Sequence, residues 1–170
     1  MSSLSLLRTL FNYRAWANDE LLEKMEGFDL ERHGDARHAA LRLMNHCHVV
    51  DQIFAAHLTG RPHGFAADNT QDTPTLRDLR ASVAALDRWY LGYLESATPE
   101  LLSERVSFTF TDGDKGFMTR EEMLAHVVTH GGYHRGEVGR LMSQQSVGVP
   151  WDTFAVYLHS TDPSRRLQAA

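Results

Sequence analysis

Thr119-Arg120-Glu121-Glu122-Met123-Leu124-Ala125-His126-Val127-Val128-Thr129-His130-Gly131-Gly132-Tyr133-His134-Arg135-Gly136-Glu137-Val138-Gly139-Arg140-Leu141 is the most informative stretch of the chain. It opens as a capping box, in which the Thr119 hydroxyl and the Glu122 carboxylate can satisfy two free backbone N–H groups. Met123, Val127, Val138 and Leu141 then recur at helical spacing. The pattern predicts a long helix with one inward stripe, which also holds His130 and His134. A single striped helix must bury that stripe against partners.

Three more stretches supply those partners. A helix is expected over Leu4 to Met25, with Leu7, Leu10, Phe11, Leu21, Leu22 and Met25 inward and Gly27 as its stop. A second runs from Arg37 to Thr59 along Leu43, Val50, Ile53 and Phe54, and ends at Gly60 and Pro62. A third begins at Thr73-Pro74, carries Leu76, Leu79, Val83, Leu86, Tyr90 and Leu94, and stops before Pro99. Before the last helix, Val106 to Thr111 alternates apolar and polar as a short strand does, and Asp112 to Gly116 reads as a turn. The expected fold class is all-α: a four-helix bundle with a short extended or hairpin excursion before its last helix. The two later connections are long enough for crossovers. Val149 to Phe154 reads as irregular chain whose aromatics pack on the body, and Ser164 to Ala170 as a loose tail. The expected organisation is one domain over 1–163 followed by the tail at 164–170.

Composition narrows the function. The chain has 170 residues, 42% hydrophobic and 23% charged, which is ordinary globular usage. One cysteine excludes an internal disulfide framework or a Cys-based zinc ribbon. No apolar run approaches the roughly 20 residues of a membrane span. Met1 to Arg8 lacks a basic n-region and a long apolar core, so no secretory signal is expected. Together with the single thiol, this points to the cytoplasm. A net charge of −5 argues against a broad nucleic-acid-binding surface, and no membrane partner is expected.

The outlying number is histidine, at 10 residues. Residues four apart on a helix stand one above the other. His126, His130 and His134 therefore share a face. Imidazoles buried there need partners, and a divalent cation is one. On the second helix His46 lies in register with Leu43, Val50 and Ile53 and should face inward. His48 sits about 200° further round and should face elsewhere. His46 with His130 and His134 would give three nitrogen ligands from two helices and leave a fourth position open, the pattern of a catalytic zinc site. The bland alternative is a chance His-x₃-His pair on a solvated face.

Cys47 reads as a small buried hydrophobe. His33, His38 and His159 read as surface or loop residues. His57 and His63 border the end of the second helix, on the surface or at a pocket mouth. Trp16, Trp89 and Trp151 read as core. Gly131 and Gly132 cost about 1 kcal/mol each inside a helix, which suggests close approach of a neighbour at that turn. There is no H-E-x-x-H, since Val127 and Gly131 follow His126 and His130. The paired Glu-x-x-His sets of di-iron proteins are also missing.

These residues resemble the DinB/YfiT-like family along nearly the whole chain. The resemblance rests on Phe11 to Asn18, Asn45-His46 with Asp51-Gln52-Ile53-Phe54, His57 to Gly60, and Trp89-Tyr90. The most specific piece is His126 to His130 running into Tyr133-His134-Arg135-Gly136. The resemblance implies a divalent metal, zinc or nickel, held by His46, His130 and His134. His48 and His126 then become outer or pocket residues. It also implies a homodimer and a small-molecule chemistry, either metal-dependent hydrolysis or S-transfer with a low-molecular-weight thiol as co-substrate. A stress-induced metal or ligand binder without turnover is the other reading. Where many relatives carry glutamine, this chain has Glu137. It would orient His134, act as a base, or simply face solvent.

Overall fold

The computed structural model describes residues 2–166. Six helices are present among them: α1 (Ser3–Lys24), α2 (Gly34–Thr59), α3 (Leu76–Ser96), α4 (Pro99–Ser103), α5 (Arg120–Gln144) and α6 (Phe154–Thr161). Strands β1 (Arg105–Thr109) and β2 (Lys115–Thr119) form one antiparallel hairpin. The fold is mostly helical with this small sheet. No helix among the described residues is long and apolar enough to cross a membrane.

Local chemistry sets the boundaries. The Thr119 and Glu122 side chains close the expected capping box at the start of α5. Gly60 ends α2 in the left-handed region at φ 66°. In the hairpin, Phe108 pairs with Gly116, and its ring lies where a Cβ on that glycine would project. Glycine is required there because the ring covers the opposite backbone. Gly113, at φ 97°, makes the turn between the strands.

Several expectations need correction. α3 starts two residues beyond Thr73-Pro74, because the hydroxyl of Thr75 accepts from the Asp78 amide and supplies the cap. Pro74 therefore lies outside the helix. Phe154 to Thr161 forms α6, which was not anticipated. Trp151 does not pack on the body but is 80% exposed. Part of the expected tail is a 3₁₀ turn, Pro163–Arg165, and residues 167–170 lie outside the described residues.

α1 packs chiefly on α3 and α2 chiefly on α5, while α1 with α5 and α2 with α3 complete a ring. Two apolar clusters fill its interior. One gathers Phe11, Phe54, Tyr90, Leu94, Phe108 and Val127 at the hairpin end. The other gathers Leu22, Met44, Leu79, Val83, Val138 and Met142. Between them each helix interrupts its apolar stripe at the same level: Arg14 and Asn18 on α1, His48 and Asp51 on α2, Asp87 on α3, Arg135 on α5. The Arg14 guanidinium bridges Asp51 and Asp87. Asn18 donates to Asp87 at 3.1 Å and accepts from Arg135 at 3.2 Å. Asp152 receives Arg135 at 2.7 Å and also the Tyr13 hydroxyl, clasping the chain before α6 onto α1 and α5. Buried polar groups are tolerated when paired, and each of these six residues has at least one hydrogen-bond partner.

This layer explains Gly131. A Cβ there would meet the Arg135 guanidinium at 3.2 Å, with the Arg14 Nε at 3.9 Å. The neighbour that demands a glycine is a pair of buried arginines rather than another helix backbone. The fully buried stripe of α5 consequently runs through Met123, Val127, Gly131, Arg135, Val138 and Met142, while Leu141 is partly buried against the second apolar cluster.

Candidate metal centre

On α5, His126, His130 and His134 fall on successive turns at the border of the buried stripe, each partly buried. α2 packs against this side and presents His46. The three rings of His46, His130 and His134 meet edge to face, with centroids 4.6–5.0 Å apart. One nitrogen from each lies within 4.8 Å of the others. The Nε2 atoms of His46 and His130 are 3.1 Å apart. A tetrahedral site with metal–nitrogen bonds of about 2.0–2.1 Å has nitrogen–nitrogen edges of about 3.3–3.4 Å. The spacing therefore fits that donor set.

The second nitrogens of two rings are fixed. His46 Nδ1 lies 2.9 Å from the Asp68 carbonyl, in the loop between α2 and α3. A carbonyl only accepts, so Nδ1 carries the proton and Nε2 of the neutral ring keeps its lone pair. His134 Nδ1 lies 2.6 Å from a Glu137 carboxylate oxygen, with the same consequence. Of the three readings of Glu137, this contact favours the one in which it orients His134, although the residue remains partly exposed. His130 Nδ1 is buried with no protein partner among the described residues. Burial, then the neighbouring His134, His46 and His126, push the His130 pKa down to about 3. The ring is thus neutral, as a metal ligand must be.

The remaining histidines separate cleanly. His126 stacks between His130, at 5.2 Å, and Phe54, at 4.6 Å. His48 does face away from His46, but into the interior rather than toward the cluster. Its Nε2 lies 2.7 Å from the Ser82 hydroxyl of α3, so it is not an outer residue of this site. α2 is enclosed by α3 on one side and α5 on the other, so that direction is also buried. His57 and His63 lie together, centroids 5.3 Å apart, beside Phe54 and Phe108 and outside the three-ring cluster. Cys47 is buried as expected, and burial, with Asp51 nearby, raises its thiol pKa to about 12.

Sequence reasoning missed Asp68, whose carbonyl holds His46 Nδ1 and whose carboxylate lies 3.6 Å from the same nitrogen. It also missed the polar layer. Arg14 three residues after Phe11, and Asp87 between Val83 and Tyr90, are charged residues at apolar-stripe spacing and were readable as such.

The outer hydrogen bond on His134 gives a first prediction. Glu137→Ala should weaken divalent-metal affinity about 10–100-fold, with metal stoichiometry recoverable at high metal concentration. Competition titration against a chromogenic chelator reads this. Unchanged affinity would reduce Glu137 to a solvated helix residue.

The model of the DinB family matches residues 1–167. No curated protein matches the chain.

Proposed function

Because the chain belongs to the DinB family, we propose that it holds a divalent metal through His46, His130 and His134, leaves one coordination position open, and acts on a small molecule as a metal-dependent hydrolase or thiol S-transferase. The observation that carries this reading is the convergence of three ring nitrogens, from two helices, within 4.8 Å. Three neutral imidazoles suit zinc or nickel better than calcium or magnesium, which prefer oxygen donors. When bound, the cation supplies Lewis acidity that lowers the pKa of a water or thiol in the open position.

The chain's own residues do the rest. Asp68 and Glu137 keep protons on the outer nitrogens of His46 and His134, so both rings present lone pairs inward. His126, backed by Phe54, covers one side of His130. In a transferase the nucleophilic sulfur comes from the co-substrate, because the Cys47 thiol is buried and held protonated. Accordingly, Cys47 in the native protein should resist Ellman's reagent and react fully once unfolded. Rapid native labelling would reopen a role for it.

A second reading has one observation in its favour. The Glu137 carboxylate beside the cluster is already engaged with His134 and so is not free to serve as a base. On that reading the protein binds metal or a small ligand without turnover. Metal-loaded protein screened with low-molecular-weight thiols plus electrophiles, and separately with esters and amides, separates the two. Metal-dependent turnover in either screen supports the enzyme. Silence in both supports the binder.

We read the ring of α1, α3, α2 and α5 as a four-helix bundle of the DinB/YfiT type, working as a homodimer in the cytoplasm. The pairwise packing of the helices supports the bundle, and the family resemblance supports the dimer.

A further inference from the structure

We propose that the polar layer between the two apolar clusters binds one buried water molecule, which accepts from Arg14 Nε and donates to Asp51 Oδ1 and His48 Nδ1. These three atoms are buried and have no protein partner among the described residues, although every other nitrogen of the Arg14 guanidinium and the second oxygen of Asp51 are paired. Their residues are 2%, 3% and 6% exposed, so bulk solvent does not reach them. All three residues line a single cavity of about 10 Å³, closed by Cys47, Val83, Gly131 and Arg135 among others. That volume is about one water probe.

The donor and acceptor count closes on water and on no larger ligand. Arg14 Nε carries one N–H and can only donate. Asp51 Oδ1 can only accept. His48 Nε2 faces the Ser82 hydroxyl at 2.7 Å. With the proton on Nε2 donated to Ser82, Nδ1 is left as an acceptor. One oxygen with two hydrogens and an available lone pair satisfies one donor and two acceptors, within the usual range of about three bonds for a buried water. Without it, three buried polar atoms would each carry an unmet desolvation cost. An ion fits less well. Arg14 repels a cation, and Asp51 repels an anion. The water ties α1 to α2 five residues after His46, at the level where Arg135 ties α5 to α1, so it belongs to the scaffold that sets how α2 and α5 meet. The inference stands independently of metal binding.

A crystal structure of the full chain, refined to a resolution at which ordered waters are visible, tests it. The expected result is a single peak within hydrogen-bond distance of Arg14 Nε, Asp51 Oδ1 and His48 Nδ1. Absence of that peak, or a side-chain arrangement that pairs these atoms directly, overturns the proposal. In solution, nitrogen-15 spectra of histidine-labelled protein should show the His48 ring protonated on Nε2, with Nδ1 as an acceptor. A ring protonated on Nδ1 overturns the bonding pattern. In a crystal structure of His48→Leu the water peak should be lost or displaced, and its persistence at the same place would show that His48 does not hold it.

Discussion

Protein purified without an affinity tag should carry about one divalent metal per chain, and His130→Ala and His46→Ala should each lose it. The loss should exceed the roughly 10–100-fold that removal of an outer partner costs, because a direct donor disappears. His134→Ala should behave alike, whereas His48→Ala should keep its metal, since that ring faces Ser82 rather than the cluster. Inductively coupled plasma spectrometry on dialysed protein reads the stoichiometry, and circular dichroism confirms that each variant has folded. Full metal retention in folded His46→Ala would remove α2 from the site and leave only the pair on α5. Such a pair is common on solvated helices and carries little chemistry. The outcome therefore bears on the proposed reaction as a whole: three donors with an open position make a Lewis acid of the bound ion, while two donors do not define one.

The second large effect is on stability. Arg14→Met should destabilise the fold by about 3–5 kcal/mol, because it leaves Asp51 and Asp87 buried without their shared cation. For a chain of this size that corresponds to a fall in melting temperature of roughly 6–20 °C. The direction follows from asymmetry. Two charges brought out of water gain little net stability from each other, yet removing one exposes the full cost of burying the other. Replacing Arg14, Asp51 and Asp87 together by apolar residues should therefore recover much of the loss. Thermal and urea denaturation of the single and triple variants measure both. A single variant within about 1 kcal/mol of the parent would mean that water reaches these carboxylates.

Much of this architecture was legible in the residues. The apolar stripes predicted four long helices, and the Thr119–Glu122 box located the start of α5 because caps are local chemistry. The alternation around Phe108 found the hairpin. Steps of four placed His130 and His134 together, and the apolar register of α2 brought His46 toward them. What escaped depends on long-range packing. Whether His48 is exposed is decided by α3, thirty-four residues away, since Ser82 and its neighbours enclose that side of α2. Trp151 looked like a core residue by type, but the chain near it is anchored through Asp152 instead, and that leaves the indole in solvent. Gly131 signalled a close approach, and only the folded chain shows that two guanidiniums are what approach.

The hold on His46 is made by a main-chain oxygen of residue 68. Every amino acid carries that atom, so a change of residue 68 leaves this hydrogen bond available, although it removes the Asp68 carboxylate that lies 3.6 Å from the same nitrogen. Insertions or deletions between Gly60 and Thr75 are another matter, because they displace the carbonyl itself. The path of this segment is itself held by Asn69 and Thr70, whose side chains accept from the Asn45 amide at 2.6 Å each, so its length and these two residues together set where the carbonyl lies.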